Sequence, residues 1–497
     1  RLAKGGADTV LTSDGTDISW AAAGGGGGEA TFTATGAITA GNPVGFNANG
    51  TVSAMAQITG SAVALGSGAN GTGGGRLPMA YDTANNKYLH VFSGTSEKLF
   101  ARVGTVSGLG ITFGTAVDSG TTLEVRARSR GELHLVYDDN AGKFVVSYCK
   151  SDGKGYARTI TISGTTPSFG TEINVFNNTT YHTELAYDSN VNKVLFINAG
   201  NQDAARARVG TISGTNITLG TELEAGGTGL YPQPGSIVFD TNANKFVFVY
   251  STGSAGRPYK TRSFTISGTN VSAGTEATLT DFGDFNITPN AVFDPSINKV
   301  VALFSQDGPK FRLLTLSGTN ITQGTVTTIP LTSSSTIVKD TAESFFSSCV
   351  DPDTAGILLC YKTATAVATT GTRLTPAKFS GDNMTLSQEI VVSLTENHNG
   401  VIYDPDADVA IVSLLDEAQV VNPITRAAYV GVAAESISNG ATGKVTIIGG
   451  VNANQSGLSA GSQYGIPATS ASLVAGDNDP IGIAISSTQI YLRAVSL

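Results

Sequence analysis

Along most of the chain, short apolar runs of four to eight residues alternate with turns rich in Gly, Asn, Asp, Ser and Thr, the pattern of strands rather than of helices. One run recurs. It reads MAYDTANNKYLHVF (79–92), LVYDDNAGKFVVSY (135–148), LAYDSNVNKVLFIN (185–198), IVFDTNANKFVFVY (237–250) and AVFDPSINKVVALF (291–304). Weaker copies are SCVDPDTAGILLCY (348–361) and VIYDPDADVAIVSL (401–414). Their aspartates, Asp82, Asp138, Asp188, Asp240, Asp294, Asp351 and Asp404, are 56, 50, 52, 54, 57 and 53 residues apart. A second signature follows the first five copies, as in VGTISGTNITLGT (209–221) and LTLSGTNITQGT (314–325), and weakens to AKFSGDNMTLSQE (377–389) in the sixth.

Each repeat parses as four strands. Aspartate at a strand end caps its own turn, and Asn or Gly four residues later tolerates the left-handed backbone of a hairpin. SGTN serves the second hairpin. Four antiparallel strands per repeat of about fifty residues describe a propeller blade. The seventh copy lacks its second half, whereas AQITGSAVALGSGAN (56–70) resembles one. The expectation is a seven-bladed β-propeller whose last blade is closed by the N-terminal segment, which removes the exposed edges. An open solenoid of the same repeats is the alternative, and it would not need a split repeat.

Short Val/Ile strands with Gly/Asn turns also fill residues 30–55 and 421–497. The chain therefore divides into an assembly hairpin (1–22), a Gly-rich linker (23–29), the first part of a small β domain (30–55), the propeller (56–420) and the second part of the small domain (421–497). The small domain is read as a β-barrel or sandwich with the propeller inserted in it, so the fold class is all-β. The first hairpin, VLTSDGTDISWA, carries Trp20, the single tryptophan. A lone hairpin is marginal in water and must lean on something.

Composition narrows the partners. Only 14% of residues are charged, the net charge is −9 and there is no basic stripe, which argues against nucleic acid. No apolar run is long enough to span a bilayer, so membrane insertion is not expected. The chain begins at Arg1 without a visible signal peptide, and an upstream stretch is expected. Three cysteines, Cys149, Cys349 and Cys360, lie in strand-like runs and suggest neither disulfides nor metal ligation.

No Ser-His-Asp order, HExxH or Cys/His cluster surrounds the four histidines, His90, His134, His182 and His398, and no cofactor is expected. Asp404, Asp406 and Asp408 have the alternating oxygens of a calcium loop but lack its glycine and glutamate, so they form a weak candidate and no metal is otherwise expected. A glycosidase would need paired carboxylates, which the chain does not display in any motif. The second turn and the inter-blade link vary from repeat to repeat and share one face of the ring, where recognition is expected. Candidates there are Arg126, Arg128 and Arg130 as an anion-binding loop, and Tyr181, Tyr231, Tyr259, Phe282 and Phe285 as aromatic contacts.

KGGADTVLTSDGTDISWAA resembles the hairpin of phage tail-fibre proteins, and GAITAGNPVGFNANGTV with YVGVAAESISNGATGKVTIIGGVNANQSGL resembles β domains of tailed-phage virion proteins. The resemblance covers about a quarter of the chain and brings no catalytic residues. It implies a non-enzymatic structural protein on the virion surface, a tail or capsid fibre forming a homo-oligomer such as a trimer. Its partners would be other virion proteins and a host-surface glycan or protein. Two further readings stand beside it: a depolymerase that hydrolyses or eliminates a glycan on a propeller scaffold, and a bacterial surface adhesin or filament subunit.

Overall fold

The computed structural model describes residues 9–13, 18–22, 28–47, 50–55, 59–66, 79–123, 133–180, 182–199, 205–225, 232–252, 258–281, 287–306, 308–331, 336–337, 344–352, 356–364, 370–387, 389–393, 398–414, 416–423, 429–465, 473–475 and 481–493. It forms two units: residues 59–423, and residues 1–58 together with 424–497.

In the first unit the described strands form seven sheets, numbered here as blades 1 to 7 by their turn aspartates from Asp82 to Asp404. Each has four antiparallel strands, in sequence order in blades 1 to 6, as in blade 4: Pro232–Asp240, Lys245–Thr252, Tyr259–Ser267 and Asn270–Ala273. Blade 6 adds two short strands, Ile287–Thr288 and Thr336–Ile337. The first strands of successive blades lie side by side, and that of blade 7 lies against that of blade 1. The ring is therefore closed and the all-β propeller fold holds. Blade 7 is completed from upstream, where Val63–Ala64 pairs antiparallel with Glu417–Val421.

Local chemistry explains the turns. All seven aspartates are buried, and in blades 1, 3, 4 and 7 one carboxylate oxygen accepts the backbone N–H groups two and three residues on. The left-handed residue four positions later is Asn86, Asn192, Asn244, Asn298 or Asp408, and Gly142 in blade 2. The fourth strand departs from a simple reading. In blades 1 to 6 it is two pieces, both paired with the third strand; in blade 4 they are Asn270–Ala273 and Ala277–Thr280.

In blades 1 to 4 the break coincides with a close approach to the next blade. A Cβ on Gly114, Gly170, Gly220 or Gly274 would stand 1.7–2.5 Å from the carbonyl oxygen of Thr165, Thr215, Thr269 or Thr319, in the SGT turn of the next blade. Gly60 makes the same approach to Leu109 O of blade 1, at 1.9 Å, and so joins the two ends of the ring. An arginine on the third strand ties several of these joints from the other side. Arg208, Arg262 and Arg312 donate Nε to the glycine carbonyl of their own blade at 2.8, 2.7 and 2.6 Å. Their Nη1 reaches the preceding blade at Val175 O, Ala225 O and Leu279 O. Arg102 does likewise with Gly114 O, and its Nη1 donates to Ala64 O and Leu65 O of the closing strand. In blade 7 Gln419 takes the arginine's place, with Nε2 2.8 Å from Gly60 O.

In the second unit the two flanks of the chain meet in one sheet, Glu29–Thr33, Thr442–Ile447, Tyr429–Ala433, Pro43–Phe46 and Val52–Ala54. A second sheet comes wholly from the C-terminal flank: Val451–Asn452, Ile490–Leu492, Gly482–Ala484, Gln463–Gly465 and Val474–Ala475. The hairpin Thr9–Ser13 and Ile18–Ala22 is a separate two-stranded sheet.

Gly60→Ala and Gly220→Ala force a methyl group into a neighbouring backbone and are expected to cost about 1–3 kcal/mol each. Gly324→Ala meets nothing nearer than 3.4 Å and is expected to be neutral or slightly stabilising. Thermal unfolding of the three variants checks the contrast.

Candidate functional site

One level of the first strands is polar in most blades. Four residues before the turn aspartate stand His134, Glu184, Ser236, Asn290 and Ser347 in blades 2 to 6, and Gly400 in blade 7. This level lies toward the end of the ring opposite the aspartate turns, where the second turns and inter-blade links run. The alternation of a strand sets what each residue meets. Residues one and three before the aspartate pack on the preceding blade, as Tyr187 and Leu185 do on blade 2. Residues two before it pack on the following blade, as Ala186 does on blade 4.

Position four shares the second direction, so His134 of blade 2 meets Glu184 of blade 3. The imidazole Nδ1 is 3.1 Å from a carboxylate oxygen, and the side chains are 16% and 6% exposed. The pair is thus approached from the imidazole side while the carboxylate is held inside. Beside it Ser147 and Thr183 share a hydrogen bond of 3.1 Å, again across the joint of blades 2 and 3. Asn290 and Ser348 hydrogen-bond across the joint of blades 5 and 6.

The strand that carries Glu184 is anchored just before it begins. Thr180 is buried, accepts a hydrogen bond from Asn198 Nδ2 at 3.0 Å and donates its backbone N–H to Gly153 O of blade 2. The remaining histidines belong to the same end of the ring. His182 opens the strand of Glu184 and is buried, and His398 opens the first strand of blade 7. His90 of blade 1 is wholly buried, with Nε2 3.2 Å from Ser413 Oγ of blade 7, and burial lowers its pKa to about 3. It is a neutral joint between the first and last blades.

Other candidates fall differently. Arg126, Arg128, Arg130, Tyr181, Tyr231, Phe282 and Phe285 lie outside the described residues. Tyr259 is corrected: it is not a surface contact but a fully buried residue, its ring 5.4 Å from that of Phe304 in the next blade, because it is the first residue of a third strand that packs on that blade. Asp404, Asp406 and Asp408 do not converge on a cation. Asp404 is committed to the N–H groups of Asp406 and Ala407, Asp406 accepts from Tyr81 of blade 1 at 2.7 Å, and Asp408 supplies the left-handed residue. Among the described residues no group of three or more His, Cys, Asp or Glu is placed to hold a metal.

The His134–Glu184 pair shows in no motif, because its members are fifty residues apart and belong to different blades. The legible signal was the polar residue recurring at one position of an apolar repeat.

No family model and no curated protein matches the chain. Similar solved structures include a 6-phosphogluconolactonase-like protein of Bacteroides uniformis, 8% identical, covering 64% of this chain and 85% of that one with a TM-score of 0.44. The periplasmic gluconolactonase of Pseudomonas aeruginosa is 6% identical, with 64% and 86% covered and a TM-score of 0.44. An ulvan lyase, a polysaccharide lyase, is 9% identical, with 73% and 96% covered and a TM-score of 0.45. The likeness concerns the fold. The expectation that the chain is not an enzyme is corrected, since proteins named as enzymes stand among those similar to it.

The His90 environment has a pH consequence. A native pKa depressed to about 3 means that His90 stabilises the fold above its unfolded value near 6.5 and that this is lost as pH falls toward 3. Between pH 6.5 and 5 the loss is about 2 kcal/mol. Denaturant unfolding of His90→Gln at the two pH values is expected to show a correspondingly shallower pH dependence than the parent chain.

Proposed function

We propose that the ring is a polysaccharide-cleaving enzyme, with His134 as its acid–base group and Glu184 as the carboxylate that orients the imidazole. The observation that carries this reading is the His134–Glu184 pair itself, a nearly buried carboxylate behind a partly open imidazole at one end of the ring. With Nδ1 donating to Glu184, the basic lone pair resides on Nε2, and the carboxylate stabilises the imidazolium that forms when a proton is taken.

One base with one orienting carboxylate matches proton abstraction better than glycoside hydrolysis, which uses two carboxyl groups about 5–9.5 Å apart on either side of the bond. The reaction is therefore read as elimination on a uronate-containing chain. His134 removes the proton α to the uronate carboxylate, a C=C bond forms, the C4–O bond breaks, and the oxygen leaves on the departing chain as a hydroxyl, taking the proton back from the His134 imidazolium. The variable loops at this end of the ring would grip the sugars on either side.

The resemblance of the hairpin and flanks to phage virion proteins supports placing this activity on a virion, as a depolymerase of host-surface glycan, in a homo-oligomer such as a trimer. Light scattering of the intact chain tests the stoichiometry; a particle of three chains is expected.

The intact chain, incubated with a panel of bacterial capsular and algal polyuronates, is expected to release new reducing ends together with ultraviolet absorbance from the conjugated C=C bond. His134→Ala is expected to lower kcat by about 10²–10⁴-fold on the responsive polymer. Glu184→Gln should lower kcat and shift its pH profile with little change in KM. Reducing ends without the ultraviolet signal would overturn elimination in favour of hydrolysis. Cleavage that survives His134→Ala would remove the site assignment.

A further inference from the structure

Among the described residues, the second sheet of the flanking unit leaves an apolar row uncovered. Val451 pairs with Tyr491, which pairs with Ile483, so the three lie across neighbouring strands on one face. Val451 and Tyr491 are 39% and 43% exposed, and Ile485, two residues beyond Ile483, is 50% exposed. The intervening residues Asn452, Ile490, Leu492 and Ala484 are buried on the other face. Arg493 and Gln463, hydrogen-bonded at 3.3 Å, border the row.

The N-terminal hairpin is the complementary object. Its register sets Leu11 opposite Trp20 and Ser13 opposite Ile18, which places positions 11, 18 and 20 on one face of the ribbon. Among the described strands it pairs with nothing but itself. Two strands alone are marginal in water, so this face needs a surface.

The tether says which surface. From Ala22 to Gly28 the chain spans at most about 20 Å. Gly28 is fixed against the turn that leads into the row: its carbonyl accepts the N–H of Ile447, and a Cβ on it would meet Gly450 N at 2.5 Å. Ile448, 49% exposed, and Val451 flank that turn. The hairpin is therefore leashed beside the row, at the high effective concentration that a short link imposes.

We propose that the hairpin of residues 9–22 docks on the Val451–Tyr491–Ile483–Ile485 row of its own chain through the face that carries Leu11, Ile18 and Trp20. The occupant is the chain's own hairpin rather than a second copy, because the leash ends beside the row. This inference is independent of the catalytic reading.

Trp20 is the only tryptophan in the chain and reports the contact directly. In the intact protein its emission is expected to be blue-shifted and shielded from acrylamide. Tyr491→Asp should return both to the values of a solvated tryptophan while far-UV circular dichroism and the main thermal transition stay unchanged. Ile485→Asp, at a half-exposed position, repeats the test where Tyr491→Asp perturbs the sheet. A solvated Trp20 in the parent chain overturns the proposal, as does shielding that survives both substitutions. Shielding that disappears on dilution as the mass falls to that of one chain places the hairpin on a second copy, and equally overturns it.

Discussion

The ring depends on how closely one blade's fourth strand approaches the next blade's turn. The approach puts a carbonyl oxygen where a Cβ would otherwise stand, so glycine occupies the break in the strand at Gly60, Gly114, Gly170, Gly220 and Gly274. The glycine carbonyl at Gly60, Gly114, Gly220 and Gly274 is in turn claimed by a long polar side chain of the third strand, an arginine in blades 1, 3 and 4 and Gln419 in blade 7. Buried backbone acceptors need such partners. A guanidinium suits the task because its planar fork serves two carbonyls at once, one in its own blade and one in the preceding blade. Arg102 makes this span at the joint that closes the circle, with Nε on Gly114 O and Nη1 on Ala64 O and Leu65 O.

A closed ring of apolar strands makes its polar exceptions informative. The walls between blades are filled by Val, Ile, Leu, Phe and Tyr, as in the cluster that joins blades 3 and 4. A carboxylate placed among them, such as Glu184, is held at a desolvation cost unless a partner offsets it. His134 supplies that partner, and the two are brought together only because both stand at the same level of neighbouring first strands. His90 shows the other outcome of the same setting. With a serine instead of a carboxylate beside it, the imidazole stays neutral and serves the ring joint.

The flanks follow a different logic. Residues from both sides of the ring share one sheet, so this unit cannot form until the chain on either side of the ring has been made. Its second sheet is small, and its bare face lies where the N-terminal tether ends. Covering that face and giving the hairpin a base are one and the same contact.

Local chemistry made the repeat, its four strands and its turns readable along the chain. An aspartate caps its own turn, a residue four positions on accepts a left-handed backbone, and apolar and polar positions alternate. The closing of blade 7 by Val63–Ala64 was readable too, because half a repeat was missing at one end and present at the other. The split of the fourth strand was not legible, and the carbonyl of the next blade that meets its glycine in blades 1 to 4 belongs to another repeat. Tyr259 looked like a surface aromatic because its neighbours are loop-like, and only the stacking of blades buried it against Phe304. The meeting of His134 with Glu184 was likewise settled by packing between blades. Fifty residues of intervening chain give no clue to it, and only the stacking of blade 2 on blade 3 brings the two side chains within 3.1 Å.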